Sequence, residues 1–131
     1  MKLVYIAGPY RGTNMWDVVQ NIRRAEALAL AVWQSGAACI CPHKNTAFFD
    51  GAADDSVWLE GDLEMMRRCD AVLCTDEWQR SAGAREEVRI AREVGIAIFE
   101  SIEELRAWLG EGSTAQINSE DRKIRPVQQL S

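Results

Sequence analysis

An α/β domain built on a parallel sheet is the fold class that this sequence predicts, and three observations carry the prediction. Four short apolar runs, at residues 2–7, 37–41, 71–74 and 96–99, alternate with stretches of helical periodicity. Apart from Lys2 the runs are apolar throughout instead of alternating with polar residues, which suits a sheet covered by helices on both faces. The 131 residues suffice for one domain with a sizeable core, and 47% hydrophobic with 27% charged content is that of a soluble globular protein.

The first run, ending Val4-Tyr5-Ile6-Ala7, reads as a buried strand, and Gly8-Pro9-Tyr10-Arg11-Gly12-Thr13-Asn14 as a turn. Val18, Val19, Ile22, Ala25, Leu28, Ala29 and Val32 recur at helical spacing and predict a helix from about Trp16 to Ser35, closed by Gly36. A second strand over 37–41 stops at Pro42. Residues His43 to Asp55 read as a polar loop carrying Phe48 and Phe49, and loops of this length in small domains are usually functional or mobile. A helix from about Ser56 to Arg68 follows, with Trp58, Leu59, Met65, Met66 and Cys69 on its apolar face. After the third strand, Ser81 is a good N-cap for a helix that ends at Gly95 and turns Ala84, Val88, Ala91 and Val94 inward. The fourth strand leads to Ser101-Ile102-Glu103-Glu104, a capping box that opens a short helix ending near Gly110. Residues 1–110 are thus read as the domain. The polar, aperiodic stretch 111–131 is expected to be a disordered or partner-docked tail.

Several function classes are set aside by composition. A net charge of −5 with no basic block argues against binding polymeric nucleic acid. No apolar run reaches the roughly 18 residues of a membrane span, and the N-terminal run is too short for a signal-peptide core. A cytoplasmic location is therefore expected. Cys39, Cys41, Cys69 and Cys74 lie in or beside apolar runs and read as buried free thiols of a reducing compartment. Cys39 and Cys41 lack a second ligand pair, so no metal site is expected.

Two carboxylates break the amphipathic patterns. Glu87 falls inside the apolar face of its helix, while Glu86, Arg89 and Glu93 lie on the polar side. Asp62 sits at the centre of the apolar face of the preceding helix. An inward carboxylate is costly unless it is paired or used. Ser81 and Gly83 open the Glu87 helix, where free N–H groups and the helix dipole suit an anion. In a parallel sheet, ligands bind beyond the carboxyl ends of the strands. That rule gathers the turn after the first strand, the loop after the second and the Ser81 helix start at one edge, with Tyr5 and His43 near it. The Gly8–Gly12 turn is neither a dinucleotide fingerprint nor a P-loop. A glycine turn carrying an arginine suits one phosphate or a ribose. Two inward carboxylates, a tyrosine and an anion cradle suggest displacement at a sugar carbon. Each side chain also has a plain reading: Tyr5 as a core aromatic, His43 as a loop-packing residue, Arg11 as half of a surface ion pair.

Over about residues 3–99 the sequence resembles the nucleoside 2-deoxyribosyltransferase-like superfamily, in a small branch next to the 2′-deoxynucleoside 5′-monophosphate N-glycosidases. The resemblance rests on Tyr5-Ile6-Ala7-Gly8-Pro9-Tyr10-Arg11-Gly12, Cys41-Pro42-His43, Gly61-Asp62-Leu63, Arg68-Cys69-Asp70-Ala71-Val72, and Ser81-Ala82-Gly83 followed by Glu87. It implies a doubly wound, flavodoxin- or Rossmann-like parallel sheet of about five strands and cleavage of an N-glycosidic bond without a cofactor. It implies Glu87 as the nucleophile, Asp62 as the residue that assists base departure and orients the sugar, and Tyr5 as the residue that positions Glu87. By the same resemblance Gly8, Pro9, Tyr10, Arg11, Gly12, Ser81 and Gly83 belong to the substrate pocket, with Arg11, Ser81 and Gly83 on a 5′-phosphate, and His43 lies beside it. The implied partners are a small nucleotide or nucleoside and a second copy of the chain in a homo-oligomer. The sequence departs from the hydrolases at Arg85 and at the Pro9-Tyr10 pair, and loop 44–55 has no counterpart there. Base exchange between nucleosides, a nucleotide sensor without turnover, and a plain structural domain are the alternatives.

Overall fold

A computed structural model describes residues 1–111. The chain order is β1 (Leu3–Ala7), α1 (Met15–Gln34), β2 (Ala38–Ile40), α2 (Pro42–Asn45), α3 (Asp55–Arg67), β3 (Ala71–Cys74), a 3₁₀ turn (Trp78–Arg80), α4 (Ala82–Glu93) and β4 (Ala97–Phe99). A last helix, α5, covers 102–111. The strands form one parallel sheet in the order β2-β1-β3-β4. The sheet is doubly wound, and its strand order reverses between β1 and β3. The described residues form four strands, so the fifth strand implied by the resemblance has no counterpart among them. The tail expected over 111–131 lies outside the described residues except for Glu111, which ends α5.

Alternation along β1 divides the core. Val4 and Ile6 face one side of the sheet with Ala25, Ala29 and Val32 of α1 and Leu105 of α5. Tyr5 and Ala7 face the other with Met66, Cys69, Val88 and Ala91, from the α3 and α4 side. This parity decides the site: because side chains on a strand alternate, Tyr5 is aimed at the two helices that carry the inward carboxylates. Asp70 fixes the start of the strand pair. Its carboxylate accepts from the Leu3 N–H at 2.8 Å and its own N–H donates to the Leu3 carbonyl.

Caps and stops follow the sequence closely. Asn14 caps α1 through the Asp17 N–H, and Gly36 follows its end at φ 89°. Ser81 caps α4 by accepting from the Ala84 N–H at 3.1 Å. Ser101 caps the last helix, while the Glu104 carboxylate reaches the Glu100 N–H instead of closing the box on Ser101. Three expectations are corrected. The stretch expected to be loop from His43 begins with helix α2, which Pro42 opens from its first position, where the missing N–H costs nothing. Val94 is exposed, because it is the C-cap of α4 and lies past the sheet. Leu59 is exposed too, and of the predicted apolar face of α3 only Met66 and Cys69 are buried. Cys69 and Cys74 are buried and Cys39 and Cys41 half-buried; all four thiols are free. No helix of the described residues is long and apolar enough to cross a membrane.

Candidate active site

A cleft of about 1090 Å³ opens at the carboxyl edge of the sheet, at the point where the strand order reverses. Its floor is set by β1 and α4. Tyr5 is fully buried, and its phenol donates a hydrogen bond to Oε2 of Glu87. Glu87 is 8% exposed and lines the cleft from α4, nearly two turns into the helix that Ser81 caps. Asp62, on α3, lines the same cleft and is half-buried. The three residues proposed for the chemistry are therefore brought together from β1, α3 and α4.

Burial governs their protonation. The Glu87 carboxyl is raised to about 8, by desolvation first, with the Tyr5 hydrogen bond lowering it and the charge of Asp62 raising it. Burial alone lifts Asp62 to about 6. Tyr5 is raised far above the ordinary phenol range, by burial first and then by the two carboxylates, so it remains a donor. The cleft thus holds two carboxyls that titrate around neutrality against one fixed hydrogen-bond donor. That arrangement suits a reaction needing one carboxylate and one carboxylic acid.

The turn after β1 forms the adjoining wall. Gly8, Pro9, Tyr10, Arg11 and Gly12 all line the cleft. Gly8 has a steric reason to be glycine: a Cβ there would lie 2.3 Å from Oγ1 of Thr75 at the end of β3. His43 is buried, and its Nε2 lies 3.0 Å from the Gly8 carbonyl and 3.1 Å from that of Pro9. As the donor to these carbonyls, Nε2 carries the proton, and burial keeps the ring below its usual pKa. His43 borders the cleft but holds the turn, which is the loop-packing reading. Asn21 of α1 supports the turn further, donating to the carbonyls of Tyr10 and Arg11. Tyr10 is also committed: its hydroxyl donates to Asp50 at 2.7 Å and accepts from the Phe48 N–H at 2.8 Å. Phe48 sits at φ 63°, a left-handed conformation that is uncommon for a bulky residue.

At the far wall Ser81 and Gly83 open onto the cleft from the first turn of α4. The nearest atom to a Cβ at Gly83 would be Ser81 Oγ at 3.8 Å, so the backbone is unscreened there. Arg85 turns away and donates to the Gln79 carbonyl at 2.6 Å. Arg11 is paired with Asp55 at 2.6 Å, and both side chains are largely exposed.

Sequence reasoning missed several lining residues. Trp16, Gln20 and Arg24 reach the cleft from α1 at a spacing of four, and Asp17 and Asn21 lie beside them. This polar stripe was visible opposite the apolar one. Trp58, whose ring meets Phe49 at a centroid distance of 5.7 Å, and Arg80, beside Ser81, were also missed. Among the described residues no group of His, Cys, Asp and Glu is placed to hold a metal ion.

Residues 2–101 match a family described as a domain of unknown function, DUF7768. No curated protein matches the chain in sequence. Among solved structures, a conserved protein from Enterococcus faecalis V583 is similar at a TM-score of 0.61 and 22% identity, over 75% of this chain and 61% of that one. A 2-deoxyribosyltransferase from the psychrotolerant bacterium Bacillus psychrosaccharolyticus is similar at 0.55 and 15% identity, over 79% of this chain and 90% of that one. A 2-deoxyribosyltransferase from Leishmania mexicana is similar at 0.56 and 19% identity, over 75% and 62%. The chain therefore spans about three fifths of the first and third of these proteins. At such identities the likeness is one of fold.

Proposed function

The chain belongs to the DUF7768 family, and on the geometry of its cleft we propose that it hydrolyses the N-glycosidic bond of a ribo- or deoxyribonucleoside 5′-monophosphate. The observation that carries this reading is the buried Glu87, held by the Tyr5 phenol at the edge of a cleft that Asp62 also lines. The fold likeness to two 2-deoxyribosyltransferases supports chemistry at a deoxyribosyl group.

In this reading Tyr5 occupies Oε2 of Glu87 and leaves Oε1 to attack C1′. The C1′–N bond breaks through an oxocarbenium-like transition state, and its electron pair leaves with the base. Asp62, as the acid, protonates the departing nitrogen. A water molecule then attacks C1′ of the glycosyl ester, giving its proton to the Asp62 carboxylate, and Glu87 is released. Ser81, Gly83 and Arg11 take the 5′-phosphate, and His43 acts through the Gly8–Pro9 turn. The reaction needs no cofactor. A homo-oligomer belongs to the same reading, because Trp16 and Leu59 stand exposed on the cleft rim where a second copy would cover them.

One observation favours base exchange between nucleosides instead. Arg11 already has a carboxylate partner in Asp55, and Arg80 has one in Glu77 at 3.3 Å. Chromatography of nucleosides and 5′-monophosphates, incubated with and without a second base, separates the readings. Hydrolysis predicts free base from monophosphates without an acceptor. Release only from nucleosides, and only with a second base present, makes the chain a transferase. No release, with thermal stabilisation by a nucleotide, makes it a sensor.

A further inference from the structure

We propose that Asp55 is the resident counter-anion of the phosphate subsite, and that an entering 5′-phosphate displaces it from Arg11. The inference rests on the hydrolase reading above and assigns a role to a residue which that reading leaves unused. Arg11 lies on the turn after β1 and Asp55 is the first residue of α3; both line the cleft, and their 2.6 Å contact joins its two lips. A second link lies beside this ion pair. The Tyr10 hydroxyl bridges Asp50 and the Phe48 N–H, tying the same turn to the loop before α3. The turn is thus held without Arg11, and the guanidinium is free to exchange partners.

The chemistry of the exchange favours phosphate. The two side chains of the pair are 67% and 69% exposed, so their attraction is weak and solvent-screened. A phosphate monoester carries nearly two negative charges and three acceptor oxygens, and it meets the planar guanidinium fork with two hydrogen bonds. A nucleoside offers no such anion and leaves the pair in place. Asp55 therefore keeps Arg11 aimed across the cleft and sets how strongly an anion must bind to take it. The released carboxylate stands at the first turn of α3, where the helix dipole favours a negative charge.

The test is calorimetric titration of the full chain with inorganic phosphate at fixed ionic strength. Asp55→Asn should bind phosphate about 2- to 5-fold more tightly than wild type, the range that loss of an exposed pair allows. Arg11→Gln should bind it more weakly, and in the Arg11→Gln/Asp55→Asn double variant the gain should vanish. Asp54→Asn makes the same charge change one residue away, outside the cleft lining, and should change affinity less than about 2-fold. Thermal melts of each variant report folding separately from affinity. An Arg11→Gln loss with Asp55→Asn unchanged overturns the exchange but leaves the phosphate subsite standing. A gain from Asp55→Asn that persists without Arg11 also overturns it, since simple repulsion then explains the effect. If no variant alters phosphate binding, the phosphate subsite itself is wrong and the exchange falls with it.

Discussion

The Tyr5 phenol on β1 donates its hydrogen bond to Glu87 on α4, 82 residues further along the chain. Sheet parity aims Tyr5 at the α3 and α4 side, and the distance of nearly two turns from the Ser81 cap brings Glu87 to meet it. The pair joins the core to the cleft floor, so changes to either residue separate stability from chemistry.

Glu87→Gln is expected to abolish base release and keep the fold. Its effect on stability depends on pH. The folded-state pKa of Glu87 lies at about 8, above the ordinary 4.5, so the folded protein binds the extra proton in between. The stability this provides is present below about 4.5 and is lost as pH rises through 8. Denaturant melts should therefore show wild type losing stability between pH 5 and 9 relative to the variant, by on the order of a few kcal/mol. Glu86→Gln, exposed and paired with Arg89, should alter neither activity nor this pH trend.

Tyr5→Phe removes the phenol that donates to a buried carboxylate. Without it the Glu87 carboxyl rises further, so the onset of activity should move to higher pH. The phenyl ring keeps the core filled, and the orphaned acceptor should cost about 1–3 kcal/mol in a urea melt. An unshifted pH profile with lower stability would leave Tyr5 as a packing residue only.

The pH dependence of kcat/KM should be bell-shaped, with limbs near 6 and 8 and a maximum between them, because the productive state holds one proton on the Asp62–Glu87 pair, carried by Asp62 in the minor of the two one-proton forms while the more basic Glu87 is ionised. Asp62→Asn leaves Glu87 as the titrating carboxyl of the pair, so the alkaline limb should disappear and the acid limb should move up from near 6 toward 8. The rate should fall about 10²–10⁴-fold, most for poor leaving bases.

Gly8→Ala should cost about 1–3 kcal/mol, because the added methyl meets Thr75 and the chain there is buried against the sheet. Thr75→Ala in the same chain should restore part of the loss. Thermal melts of the two variants and their combination check this.

Much of this arrangement was legible in the sequence, for physical reasons. Continuous apolar runs marked the strands, and Glu87 stood out because a carboxylate among Ala84, Val88 and Ala91 must be buried. Ser81 was legible as a cap because the side-chain chemistry of that position is narrow. What escaped depends on contacts distant in sequence. Nothing local says that His43 donates to Gly8 and Pro9, 35 and 34 residues away, or that Arg11 meets Asp55. Asp62 sits at the centre of its apolar face in the sequence, yet Glu87 is the buried one, because α3 offers little of that face to the sheet. Periodicity gives the direction of a side chain and not the depth of the cover above it.

The most direct measurement is the mass of the protein quenched during turnover of a 5′-monophosphate, followed by peptide mapping, alongside free-base release by wild type and Glu87→Gln. A sugar-phosphate ester is expected on the peptide that contains Glu87, with no base release by the variant. Base release by Glu87→Gln at the wild-type rate, or an ester on another residue, would contradict it.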